Sequence, residues 1–260
     1  MTYQNILSEV KEGILYLTIN RENKLNALNK ATLAELAHAV AFAVSNDSVR
    51  GVLLTGAGEK AFVAGADISE FAGYSINEGM LLAKEGQANV FNAIENCPKP
   101  IVAAINGFAL GGGLELAMAC HIRIASENSK LGLPEVTLGL IPGYGGTQRL
   151  TRLVGKGRAI EMITTADMIS AEQAEKIGLI NYTVPQTELI GKAEEILNKI
   201  KQRAPLAIAS AIKAINASLQ PGIDGFDVEI EEFGKCFGTS DFKEGASAFL
   251  EKRKPNFKGK

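Results

Sequence analysis

The chain has 260 residues, 46% of them hydrophobic, enough for one large core or for one core with a small appended region. Its 27 Lys and Arg nearly cancel 29 Asp and Glu, so a formal net charge of -2 gives nucleic acid no global attraction. Three cysteines without CxxC spacing (Cys97, Cys120, Cys236) and two distant histidines (His38, His121) argue against a disulfide frame, a metal site and a histidine triad, and point to a reducing, cytoplasmic setting.

Residues 1–13 lack a continuous apolar stretch, so no secretory signal is expected. Residues 14–19, rich in Ile, Leu, Tyr and Thr, are predicted to form a strand. Asn29 is placed to cap a helix over 30–46, whose apolar stripe is Leu33, Leu36, Ala37, Val40, Ala41 and Val44. The apolar run 49–55, closed by Gly56 and Gly58, predicts a buried strand, and 62–67 a loop. Helical spacing over 77–96 stops at Pro98 and Pro100. A second buried strand is predicted at 101–105. The glycine loop 111–113 feeds a helix over 114–120, and a strand at 122–125 follows. Residues 101–120 carry only Asn106 and Glu115 as strongly polar side chains, but the glycine run and the charge argue against a membrane span.

Pro134 and Pro142 bracket a loop-rich stretch that contains Glu135. Beyond Gly145 the pattern is mostly helical, with helices predicted near 148–154, 158–164, 171–177, 188–201, 206–217, 226–233 and 242–252. Early alternation of strand and helix followed by helices predicts an α/β core, residues 1–200, with a C-terminal helical region, 201–260. No sequence repeat is visible, although the strand–strand–helix order recurs.

The run Gly56-Ala57-Gly58-Glu59-Lys60-Ala61 follows a strand and loosely matches a dinucleotide fingerprint. That site needs a helix opening at the loop to hold a pyrophosphate, and residues 62–67 show no helical period. A Walker A loop is absent.

Three segments carry candidate chemistry: Ala64-Gly65-Ala66-Asp67-Ile68, Gly111-Gly112-Gly113-Leu114-Glu115 and Leu133-Pro134-Glu135. In the second, glycines lead into a helix start whose free N–H groups can aim at one point, with Glu115 in the first turn beside them. A carboxylate next to an oxyanion-stabilising N–H suits enolate chemistry at carbon 2 of a thioester. Hydration needs one group to activate water and another to protonate carbon 2, and Glu135 is the other acid in an apolar, proline-flanked setting. The alternatives are that Glu115 merely complements the helix dipole and that Glu135 pairs with Arg149 or Arg152.

The segment 105–117, Ile-Asn-Gly-Phe-Ala-Leu-Gly-Gly-Gly-Leu-Glu-Leu-Ala, resembles the signature of the crotonase, or enoyl-CoA hydratase/isomerase, superfamily. Residues 62–68 and 141–150 also resemble its motifs, and the likeness extends through Ser170-Ala171, Gly178-Leu179 and 248–254. It covers essentially the whole chain and is nearest to bacterial short-chain hydratases. It implies a crotonase-type ββα spiral core with a C-terminal helical trimerisation region, trimers pairing into a homohexamer. The implied activity is reversible syn hydration of a trans-2-enoyl-CoA to a 3-hydroxyacyl-CoA, as in fatty-acid β-oxidation. An acyl-CoA thioester is then the partner and no separate cofactor is required, since coenzyme A is part of the substrate.

The resemblance also implies residue roles. Amides of Ala66 and Gly112 form an oxyanion hole; Glu115 is base toward water, Glu135 protonates carbon 2, and Gly143 lies close to that water. Leu25, Ala64, Asp67, Ile68 and Ser69 line the CoA path, and Phe249 and Lys252 reach the CoA of the same or a neighbouring subunit. Three positions depart from the pattern. Ser69 stands where many members have Lys, leaving one phosphate contact open. Leu133 replaces Gln and should raise the Glu135 pKa by desolvation. His121 replaces Asp and is expected to be structural, at a helix C-terminus. An enoyl-CoA isomerase is the nearest alternative, favoured when only the acid matching Glu135 is present. A non-catalytic CoA-binding or RNA-binding member is a further one, but residues 31–46 hold no lysine and 83–96 only Lys84.

Overall fold

The structure, a computed structural model, describes residues 3–260. Strand β1 (Ile6–Lys11) folds back on β2 (Ile14–Ile19) through Glu12 and Gly13, both at positive φ, as a tight hairpin requires. Asn29 Oδ1 caps α1 (Lys30–Ser45) by accepting from Thr32 N–H. Strand β3 (Gly51–Gly56) then runs parallel to β2, and β4 (Ala61–Val63) begins a second sheet. Helix α2 (Ile76–Gly86) continues through a π-helical stretch, Gln87–Phe91, into α3 (Asn92–Glu95).

The order then repeats: β5 (Ile101–Ile105), β6 (Phe108–Leu110) and α4 (Gly112–Ala119), followed by β7 (Ile122–Ser126) and β8 (Lys130–Gly132). After these come α5 (Gly146–Val154), α6 (Lys156–Thr165), β9 (Ile169–Ser170), α7 (Ala171–Lys176) and β10 (Tyr182–Val184). The chain finishes with α8 (Leu189–Lys201), α9 (Pro205–Ala217), α10 (Gly225–Phe237) and α11 (Ser240–Leu250).

Successive turns add one strand to each sheet. The large sheet has the order β1-β2-β3-β5-β7-β10 and the small one β4-β6-β8-β9. All neighbours are parallel except β1 with β2 and β8 with β9. This is a ββα spiral. Both faces of the large sheet are covered. Leu53, Val102, Ala104 and Ile124 meet Leu189, Ala193 and Leu197 of α8, while Val52, Leu54, Ile101, Ala103 and Ile105 join the main core with α1 and α4. Burial on both sides explains why 51–56 and 101–105 read as unbroken apolar runs instead of alternating.

The predicted loop at 62–67 begins inside β4, and β6, β8, β9 and β10 were not anticipated. Segments of two or three residues carry no period and are defined by the strands beside them. Strand β1 was missed because its side chains are mostly exposed and polar, as suits an edge. The glycine run 56–58 leads into β4, not a helix, which removes the dinucleotide reading. Helices α9 and α10 leave Ile215, Phe226, Ile230 and Phe233 exposed. Among the described residues no helix is long and apolar enough to cross a membrane.

Candidate active site

The three segments singled out in the sequence occupy the same place in consecutive turns of the spiral. Ala66 follows β4, Gly112 follows β6 and Glu135 follows β8. Because β4, β6 and β8 pair side by side, Val63 opposite Ala109 and Leu110 opposite Gly132, their outgoing ends are neighbours. Parallel pairing, not sequence proximity, assembles the site.

Two main-chain amides converge there. Leu28 bridges Ala66 in parallel fashion, with Leu28 N–H donating to Gly65 O and Asp67 N–H donating to Leu28 O. That pattern uses the residues flanking Ala66, so the Ala66 N–H points to the other side, and no group among the described residues accepts from it. The Gly112 N–H belongs to the first turn of α4, where amides have no intrahelical acceptor. A Cβ built on Gly112 would lie 3.7 Å from Ala66 N, so the two donors are adjacent.

Glu115 lies in the first turn of α4 and is 2% exposed. Its Oε1 accepts from Tyr144 N–H at 2.8 Å and Gly146 N–H at 2.7 Å. Burial pushes its pKa up to about 7, the Gly146 amide opposes this, and the charge of Glu135 adds to the rise. Glu135 opens a short 3-10 turn, Glu135–Leu138, and burial raises its pKa as well. Fully buried Leu133 beside it fits that desolvation. The Glu135 Oε1 lies 2.9 Å from a Cβ built on Gly111, and its buried Oε2 has no partner among the described residues. Glu135 does not pair with Arg149, whose partner is Glu95. The charge of Glu135 is thus felt at Glu115, beside the two amides.

The structure gathers the other candidates unevenly. Gly143 precedes Tyr144, and its carbonyl accepts from Gln87 Nε2 at 2.7 Å. Leu25, at φ 50, is tied to the β4 end through its carbonyl, which accepts from Ala64 N–H. Asp67 is held by Ser69 Oγ at 2.6 Å and by Arg21 Nη2 at 3.0 Å, and these donors keep its carboxyl below the usual range. Leu25 and Ile68 stay substantially exposed, so this cluster forms a rim. Phe249, 83% exposed, is the penultimate residue of α11, and Lys252 lies just beyond the helix; among the described residues no hydrogen bond or ion pair joins either to the rim. His121 is structural, but not as a cation at a helix end. It follows Cys120, the C-cap of α4, its Nδ1 accepts from Ile101 N–H at 2.9 Å, and burial lowers its pKa to about 4.

Several residues at the site carried no sequence signal. The amides of Tyr144 and Gly146 orient Glu115, and amides have no side-chain signature. The Tyr144 ring stacks on Phe91 at 4.7 Å, and a Cβ on Gly86 would lie 2.3 Å from it. Arg149, weighed with Arg152 as an alternative partner for Glu135, is buried and pairs elsewhere. Among the described residues no cluster of His, Cys, Asp and Glu could hold a metal ion.

The family model described as enoyl-CoA hydratase/isomerase matches residues 9–260. The chain is 48% identical over 258 residues to the crotonyl-CoA hydratase of Syntrophomonas wolfei, covering 99% of each chain. It is 49% identical over 255 residues to the short-chain-enoyl-CoA hydratase of Clostridium acetobutylicum, covering 98% of this chain and 97% of that one. The crystal structure of enoyl-CoA hydratase from Bacillus anthracis superposes with a TM-score of 0.92 at 42% identity, over 99% of this chain and 100% of the other.

Proposed function

The chain belongs to the enoyl-CoA hydratase/isomerase family, and from that premise we propose that it hydrates short trans-2-enoyl-CoA thioesters by means of Glu115, Glu135 and the Ala66 and Gly112 amides. It is a hydro-lyase. The observation that carries the reading is the meeting of buried Glu115 and half-buried Glu135, from adjacent turns, beside two N–H groups with no acceptor among the described residues.

With the thioester carbonyl oxygen between the two amides, charge arriving on that oxygen as water attacks carbon 3 meets donors already oriented for it. Glu115 takes the proton from the attacking water, and Glu135 delivers one to carbon 2, so H and OH add across the double bond. Proton exchange through solvent then restores the pair. Near neutral pH one proton between the two groups is what both tasks need. In the free site the deeper burial of Glu115 favours the proton there. A bound acyl thioester would cover Glu135 and raise its proton affinity, whereas Glu115 is already dry and keeps two amides that favour its charged form.

Leu25, Ala64, Asp67, Ile68 and Ser69 form the CoA-facing rim in this reading, with Phe249 and Lys252 completing it at the C-terminal end. The exposed aromatic and aliphatic side chains of α9 to α11 support a division near residue 200 and burial of 201–260 between subunits of a trimer that pairs into a hexamer. Free Cys97, Cys120 and Cys236 fit a reducing cytoplasm, and the chemistry fits the hydration step of β-oxidation. The test is loss of the conjugated enoyl absorbance of crotonyl-CoA, followed across trans-2-enoyl-CoAs of increasing length with a 3-enoyl-CoA as isomerase control. Fast hydration with little 3-enoyl conversion is expected. Conversion of the 3-enoyl substrate alone would replace this reading with isomerisation.

A further inference from the structure

Arg149 is 5% exposed, deeper than a surface ion pair would place it. Its Nη1 donates to Tyr144 O at 2.8 Å, and its Nη2 donates to Asn92 Oδ1 at 2.8 Å and to Glu95 Oε2 at 2.7 Å. Tyr144 is also the residue whose N–H donates to Glu115 Oε1. Gly145, at φ +98, completes the turn, and a Cβ there would lie 2.3 Å from Arg149 Nη1. One guanidinium therefore grips the outer side of the turn whose inner side grips the glutamate. We propose that Arg149, fixed by Glu95, is a positioning residue for Glu115, acting through the Tyr144–Gly146 turn. The proposal rests on the reading of Glu115 as the base.

The arrangement has an electrostatic consequence. Glu115 is faced by Glu135 from the turn after β8, by Arg149 from α5 and by the Tyr144 phenol. Arg149 is faced by Glu95 from α3 and by the Cys120 thiol at the end of α4, and Glu95 also faces His121. Arg149 is the one cation near Glu115 in this set and favours its charged form. Removing that cation and loosening the two amides both push the proton affinity of Glu115 up. Removing Glu95 leaves the cation less neutralised, which lowers that affinity, and loosens the turn, which raises it, so the two contributions oppose each other.

The test compares Arg149→Gln, Arg149→Lys and Glu95→Gln in the whole protein. Two readouts are needed: the acidic limb of kcat/KM for crotonyl-CoA, and the infrared band of a buried protonated carboxyl, assigned by its loss in Glu115→Gln. Arg149→Gln should move the limb and the band midpoint upward by roughly one pH unit and lower kcat more than it changes KM. Arg149→Lys keeps the charge but not the fork, so its limb should stay nearer the wild type while kcat still falls. Glu95→Gln should lower kcat with a limb shifted less than in Arg149→Gln. If Arg149→Gln does not fold, the other two variants decide. A limb and band unmoved in Arg149→Gln, or a Glu95→Gln variant whose kcat and limb both match the wild type, would overturn the proposal. The infrared titration needs no turnover, so absence of hydratase activity in the wild type would sink the functional reading and leave the coupling measured.

Discussion

The carboxyl of Glu135 fills the space that a side chain on Gly111 would need, with Oε1 2.9 Å from the ideal Cβ position. Gly111 itself adopts φ 51, ψ -125 ahead of α4, a conformation that favours glycine. The residue that leads into α4 thus also makes room for the carboxyl of the next turn. Gly111→Ala should strain the backbone by about 1–3 kcal/mol and displace Glu135. Turnover of crotonyl-CoA should fall by about 10²-fold, the scale of a small misplacement at a reacting centre. Thermal unfolding and the hydration assay measure the two effects separately.

Glu115→Gln and Glu135→Gln should each lower kcat by roughly 10²–10⁴-fold while leaving KM nearly unchanged, because the neutral isostere keeps the shape and loses the proton transfer. The double variant should cost far less than the product of the two, since the carboxyls act as a unit. Single-turnover hydration of crotonyl-CoA measures this. A near-normal rate in Glu115→Gln would rule out a mechanism with two carboxylates.

Gly113→Ala tests the contact that seats the start of α4 on the end of β4. A Cβ on Gly113 would lie 2.0 Å from Val63 O, and Val63 closes β4. Backbone cannot retreat as a flexible side chain can, so α4 must move off the small sheet. The cost should be about 1–3 kcal/mol or more, read as a lower unfolding midpoint in urea. The same shift separates the Gly112 amide from that of Ala66, so hydration should fall in the surviving folded fraction.

Long elements and glycine-rich segments were legible in the sequence, and the pieces that join them were not. Residues 30–45, 51–56 and 101–105 showed their pattern because each buries a face or both faces over several residues. Glu115 and Glu135 stood out because acids among apolar neighbours are uncommon. Strands β4, β6 and β8 have three residues each and leave no period, yet their pairing creates the site. The tie between Tyr144 and Glu115 runs through an amide, which every residue except proline carries. His121 was placed as structural, but its neutral state depends on burial that a single sequence does not display.

The deep burial of Glu115 should also show in the pH dependence of stability. Its folded pKa of about 7 lies above the ordinary 4.5, so between those values the native state binds more protons than the unfolded chain. Stability contributed by this group is therefore present below about pH 4.5 and is lost as pH rises through about 7. At about 1.4 kcal/mol per unit the penalty at alkaline pH is roughly 3 kcal/mol. Gln at this position keeps an oxygen for the Tyr144 and Gly146 amides and carries no charge to desolvate. Glu115→Gln should therefore unfold at a higher temperature than the wild type near pH 8, with the difference shrinking toward pH 5, at fixed protein concentration. Lower stability of the variant at both pH values would show that the carboxylate's bonds outweigh its desolvation. A gain in stability with a loss of turnover in one substitution is the expected mark of a charge retained for chemistry at the expense of the fold.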